Sequence, residues 1–206
     1  MNRNYLNLTF PVMTMNSNVK ETAKKLMSLD DITIITHIRP DGDTLGCAFA
    51  LYHALSDLGK HVQVVCESKI SPRYQFLSDG KEDICNEIFG SVVCVDIAAP
   101  HLAGKTYEDA AKNADVVIDH HPTNTYYGKH NLIRDNASAC GEIIFDIITE
   151  LGCINKIIAD CLYTAISTDT GWWNRWSTGR TITRSSCTFL KTMYHPSGGL
   201  CPQNDI

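Results

Sequence analysis

The apolar positions of the chain fall into short β-branched runs separated by stretches of helical period. Asp31–Thr36 (DITIIT), His61–Cys66 (HVQVVC), Ser91–Val95 (SVVCV) and residues 114–118 (ADVVI) are apolar on both faces and read as buried strands. Val19, Ala23, Leu26 and Met27 are spaced for a helix over 19–29. A second helix is predicted over Leu45–Leu58, stopped by Gly59. Residues 72–89 are expected to hold one or two short helices, and Tyr107–Lys112 another. Two longer helices follow: Cys140–Leu151, starting near Ser138 and stopped by Gly152, and Asn155–Thr168 with Asn155 as N-cap. Strands that alternate with helices in this way predict an α/β fold, a parallel sheet covered by helices on both faces. Ligands of such sheets sit outside the carboxyl ends of the strands.

The periodic pattern ends near Trp172. The segment WWNRWSTGRTITRSSC carries all three tryptophans and no sustained period. The expected organisation is an N-terminal extension over 1–14, one domain over 15–171 and an irregular tail over 172–206. A truncated or frame-shifted reading frame would end in this way.

Composition narrows the class. A hydrophobic share of 44% and a charged share of 20% over 206 residues describe a globular chain. The net charge of −5, with no basic stripe, argues against long duplex nucleic acid as a partner and leaves room for a short anionic ligand. No apolar run reaches the roughly 18 residues of a membrane span, and the first residues lack the pattern of a secretion signal. A cytoplasmic protein with no membrane partner is expected. Its nine cysteines form no C-x-x-C pair and read as reduced, small hydrophobes.

Three polar clusters lie at predicted strand ends. His37, Asp41 and Asp43 follow the first strand as HIRPDGD, with Gly42 between the aspartates to let the chain turn. Imidazole with carboxylates suits a Mg, Mn or Co site. The same residues also suit a polar loop in which Asp43 or Thr44 caps the next helix, and both readings stay open. Asp96 ends the third strand. Asp119-His120-His121 ends the fourth, and Asp119 could serve as the carboxylate behind a ligating His120. Asp169 closes the last helix. Were these carboxylates to converge, each like pair about 4 Å apart would cost ~4 kcal/mol at an effective dielectric near 20. Two divalent cations would neutralise them and form the clamp that activates water against phosphate esters.

The ordered set His37-x-x-x-Asp41-x-Asp43, Asp96, Asp119-His120-His121 and Asp169 resembles the four motifs of the DHH phosphoesterase superfamily. HIRPDGDTLGC and VVIDHHPTN resemble the branch of nanoRNase/pAp-phosphatase and RecJ-type proteins. The resemblance runs from about residue 15 to 171. It implies two Mn²⁺ ions, with Mg²⁺ or Co²⁺ as substitutes. His37 and Asp41 would hold one ion; Asp43, His120 and Asp169 would hold the other; Asp96 would bridge them. Asp119 would orient His120, and His121 would face the scissile phosphate. NASACGE, Asn136 to Glu142, resembles the family's small-residue segment at a helix start, where Ser138 would meet a substrate phosphate or act as N-cap.

The implied activity is hydrolysis, by metal-activated water, of short oligoribonucleotides or 3′,5′-bisphosphorylated nucleosides. A manganese pyrophosphatase is the nearest alternative, and a cyclic-dinucleotide phosphodiesterase follows it. The contrasting class is a metal- or nucleotide-binding remnant of impaired activity. The glycine-rich, histidine-bearing C-terminal domain of this branch is not matched in the sequence. HPSGGL at 195–200 is a poor version of its motif, so the partner domain is expected to be missing. Pairing of two chains as a homodimer is compatible with all of these readings.

Overall fold

The computed structural model describes residues 16–80 and 87–170. The parallel sheet is present, with five strands in the order β2-β1-β3-β4-β5. They are β1 (Asp31–Ile35), β2 (His61–Val65), β3 (Ser91–Val95), β4 (Val116–Asp119) and β5 (Asn131–Ile133). All pair in parallel; Ile34, for example, lies opposite Val64 on one side and Val93 on the other. β5 is absent from the sequence expectation. Three residues between polar neighbours are too few to show a period.

Residues along each strand alternate between two apolar clusters, as the strand pleat requires. Ile32, Ile34, Val93, Val95, Val116 and Ile118 join the larger cluster. Ile35, Val92, Cys94 and Val117 join the smaller one. Over the larger cluster lie α1 (Val19–Met27), α2 (Gly42–Asp57), α4 (Cys140–Leu151) and α5 (Lys156–Asp169). Over the smaller one lie a 3₁₀ turn at Pro100–Ala103 and the short α3 (Glu108–Lys112). Helices cover both faces, but one layer is much thicker.

Several boundaries move for identifiable reasons. α2 starts at Gly42, three residues before the expected Leu45, because the Asp41 carboxylate caps it by accepting the N–H groups of Asp43 and Thr44. Pro72–Ser78 is a 3₁₀ helix, and the rest of the expected helical stretch falls partly outside the described residues. Asn155 caps α5 as expected, through Ile158 N–H. Ser138 does not cap α4: the N-cap is Ala139, which has no side chain to offer.

Gly42 has a different function from the one its motif suggests. It is an ordinary first helical residue, and a side chain there would overlap Thr168 of α5. Gly46 and Gly141 act likewise. A Cβ on Gly46 would lie 2.5 Å from the Cys161 carbonyl, and one on Gly141 would lie 2.8 Å from the Ala165 side chain. The small residues of α2, α4 and α5 therefore let three helix backbones approach closely, and that approach sets the position of the site.

Among the described residues Cys47, Cys66, Cys94, Cys140 and Cys161 are buried free thiols and Cys153 is half-buried, as expected of small hydrophobes. No helix among the described residues is long and apolar enough to cross a membrane. The expected extension, 1–14, and tail, 172–206, lie outside the described residues.

Candidate metal centre

β1 and β3 are neighbours in the sheet, but the chain leaves β1 towards β2 on the opposite side. Their carboxyl ends border the point where the winding reverses, where a crevice opens in such folds. The 36–41 loop leaves β1 there, Asp96 ends β3 there, and β4 delivers Asp119-His120-His121 beside them. α5 brings Asp169 to the same place at its last residue. A carboxylate at a helix C-terminus opposes the macrodipole, so helix stability alone does not favour Asp169 there.

All six anticipated ligand residues converge. Three overlapping groups have donor atoms within 4.8 Å of one another: His37-Asp41-Asp96, Asp43-His120-Asp169 and Asp96-His120-His121. His37 Nε2 lies 3.7 Å from both Asp41 Oδ1 and Asp96 Oδ2. His120 Nε2 lies 3.7 Å from Asp43 Oδ2 and 3.5 Å from both Asp96 Oδ1 and Asp169 Oδ2. These separations are too long for good hydrogen bonds. They are short enough for the groups to share a small divalent ion, whose adjacent donors at bonds of about 2.1 Å would lie roughly 3 Å apart.

Asp96 occupies the middle. One of its oxygens faces His37 and the other faces His120. Its backbone is left-handed, with φ of 59°, a costly conformation for a residue with a side chain. Its Oδ1 is buried with no hydrogen-bond partner among the described residues. Burial pushes its carboxyl well above the usual range, and the charges of Asp43, Asp119, Asp41 and Asp169 push it further. A strained, buried, orphaned oxygen that faces other carboxylates fits a cation ligand.

The other ligands are held individually. Asp43 is raised by burial and by Asp169, although the N–H groups of Cys140 and Gly141 and the Cys47 thiol favour its charge. Burial also raises Asp41, but the His37 ring and the N–H groups of Thr44 and Asp43 outweigh it and hold the carboxyl below its usual value. His120 Nδ1 lies 3.3 Å from the Ala137 carbonyl. A carbonyl only accepts, so this bond places the proton on Nδ1 and leaves the Nε2 lone pair facing the carboxylates. Burial, helped by His121, lowers the His120 pKa and keeps the ring neutral, as a ligand must be.

Two residues sit differently from expectation. Asp119 orients the ring of His121, whose Nδ1 lies 2.7 Å from Asp119 Oδ1; from His120 it accepts the backbone N–H. That bond occupies His121 Nδ1 and raises its pKa, against the opposing effect of burial. His121 therefore lines the cleft with Nδ1 engaged by Asp119, and Nε2 is the ring nitrogen left to a ligand. Ser138 is buried, its hydroxyl has no partner among the described residues, and it does not line the cleft. The N–H groups it was expected to share with a phosphate at the start of α4 are taken by Asp43.

The sequence reading also missed Asn124. Its amide donates to Asp119 Oδ2 at 2.6 Å and to the Ile97 carbonyl, and so fixes the carboxylate that fixes His121. The signal was the position of Asn124 just after the histidine pair, in DHHPTN.

Residues 31–166 match the model of the DHH family, N-terminal domain. The chain is 33% identical over 146 residues to the bifunctional oligoribonuclease and PAP phosphatase NrnA of Thermus thermophilus, covering 68% of this chain and 43% of that one. It is 25% identical over 158 residues to the protein of the same name from Bacillus subtilis, covering 73% and 50%. The fold is also that of an exopolyphosphatase-related protein from Bacteroides fragilis, with a TM-score of 0.68 at 22% identity, over 85% of this chain and 59% of that one. The chain thus spans about half the length of the curated relatives it matches.

Proposed function

The chain belongs to the DHH family by its N-terminal domain, and on that premise we propose that it is a two-metal phosphoesterase. Its substrates would be short oligoribonucleotides or 3′,5′-bisphosphorylated nucleosides, the class named for its NrnA relatives. The observation that carries this reading is Asp96, whose two oxygens face two separate groups of donors. His37 and Asp41 would hold one ion, Asp43, His120 and Asp169 the other, and Asp96 both. Oxygen and imidazole donors with no thiolate among them suit Mn²⁺, Mg²⁺ or Co²⁺. Two divalent ions bound there would supply Lewis acidity and an acidic water.

The remaining chemistry belongs to the protein. Asp119 holds the proton on His121 Nδ1 and favours the imidazolium form. His121 is half-exposed at the cleft. It can place positive charge against phosphoryl oxygens as charge develops on them, and Asn124 keeps that geometry fixed.

The test is hydrolysis of a dinucleotide and of a 3′,5′-bisphosphorylated nucleoside by the purified protein in Mn²⁺, beside an Asp96→Ala control. We expect two bound ions per chain and turnover that is lost in the control. Equal, background rates for both proteins would sink the catalytic reading, and metal retained by the parent would then identify a binding module.

A further inference from the structure

The cleft over the metal centre encloses about 600 Å³, enough for a nucleotide-sized ligand. The side chains facing it are chiefly histidines and aspartates, and Arg39 is the one Lys or Arg among the described residues that line it. Arg39 is exposed, and no ion pair or hydrogen bond holds it among the described residues, although Asp41 stands two positions away with a half-exposed carboxylate. A guanidinium that lines an acidic cleft without pairing is available to a ligand.

Its backbone is nonetheless fixed. Ile38 N–H donates to the Leu102 carbonyl at 2.8 Å, Pro40 restrains the next residue, and Asp41 is tied into the start of α2. The Ile38–Leu102 bond ties the two backbones together, and Ile38, Leu102 and Ala98 all line the cleft. Among the described residues, Leu102 is one of the few large apolar ones left exposed. In the chain Arg39 lies between His37 and Asp41, and His37 faces the Asp96 oxygen that does not face His120.

We propose that Arg39 is a specificity-determining residue: its guanidinium grips a second phosphate of the substrate, the one not cut, while Ile38 and Leu102 support the adjoining sugar or base. This rests on the phosphoesterase reading and narrows it to phosphoesters that carry a further phosphate group, such as a nucleoside 3′,5′-bisphosphate or a 5′-phosphorylated dinucleotide. Planar guanidinium groups take phosphate through two parallel N–H···O bonds, a geometry lysine copies poorly and methionine not at all.

The experiment compares parent, Arg39→Lys and Arg39→Met in Mn²⁺. One arm measures kcat/KM for a dinucleotide with and without a 5′-phosphate. The other, with Ca²⁺ in place of Mn²⁺ to suppress turnover, measures calorimetric binding of a nucleoside 3′,5′-bisphosphate against the 3′-monophosphate. We expect the parent to prefer the extra phosphate by about 10- to 100-fold in either arm, the range of a charged hydrogen-bonded pair. Arg39→Met should abolish the preference and Arg39→Lys should keep part of it. A parent that turns over neither dinucleotide but still prefers the bisphosphate in binding defeats the hydrolase reading and upholds the role of Arg39. A parent with no preference in binding, or a preference unchanged in Arg39→Met, overturns that role whatever the rates.

Discussion

The carboxylate of Asp43, in the first turn of α2, accepts the N–H of Cys140 at 2.7 Å and that of Gly141 at 3.0 Å, and so caps a helix that begins 97 residues later. α4 has no capping side chain of its own. Its positive end is thereby answered by an anion that also belongs to the candidate metal centre. Docking α4 on α2 and positioning Asp43 are consequently one event.

Asp96 carries the clearest conflict between fold and site. A left-handed backbone costs an ordinary residue about 1–2 kcal/mol, and its buried carboxyl adds to that. Asp96→Gly should raise unfolding stability in chelator by about 1 kcal/mol. If Mn²⁺ raises the Tm of the parent, as the proposed metal site requires, the variant should lose that increase. Chelated unfolding curves that show the variant less stable than the parent would contradict this account of the strain.

Gly46 should tolerate no side chain. Its Cβ would meet the Cys161 carbonyl and the Ala165 backbone nitrogen, neither of which can rotate away. Gly46→Ala should lower stability by about 1–3 kcal/mol, as overpacking does. It should also weaken Mn²⁺ binding, because α2 and α5 carry Asp43 and Asp169. Denaturant unfolding and metal calorimetry on the same variant would check both effects. Unchanged stability would refute the close-approach argument.

Asn124 acts at one remove from the cleft. With its amide gone, Asp119 loses a 2.6 Å bond and His121 loses part of its orientation. Asn124→Ala should lower kcat by about 10- to 100-fold, a usual cost for such supporting groups. The pH profile should move with it, since the raised His121 pKa depends on Asp119. A fall in kcat with an unmoved profile would mean that Asn124 acts by some other route.

His130 ties the start of α1 to the loop that leads into β5. Thr22 Oγ1 donates to the Asn18 carbonyl, so it accepts from His130 Nε2 at 2.9 Å, while Ser17 Oγ lies 3.3 Å from Nδ1. Burial, with help from Lys25, depresses the pKa below the ordinary 6.5 against the opposing charge of Glu21. The folded state therefore binds fewer protons than the unfolded state in this range. The contribution of His130 to stability is present above pH 6.5 and is lost as the pH falls through the lower, folded-state pKa. Urea unfolding at pH 7.5 and 5.5 should show a smaller loss of stability on acidification for His130→Gln than for the parent. Equal losses would refute the linkage.

Much of this protein is legible in local pattern. The four β-branched runs fix strands of the right place and kind, and the helical periods mark α1, α4 and α5 within a few residues. The histidines and aspartates stand out because each cluster follows an apolar run, and apolar runs end at one edge of a parallel sheet. β5 was too short to show a period, and the start of α2 was hidden because Asp41 is cap and ligand candidate at once.

What the sequence determined by itself was the set of acidic and imidazole groups and the edge at which they gather. Which partner each one takes was decided only in three dimensions: that Asp119 holds the ring of His121, that Asp43 caps α4 in place of Ser138, and that Gly42 and Gly46 serve helix contact more than turning. The physical reason is that periodicity reports which face of an element is buried. Hydrogen-bond partners and backbone approach depend on how distant elements pack, and chain separations near 100 residues leave no local trace of that packing.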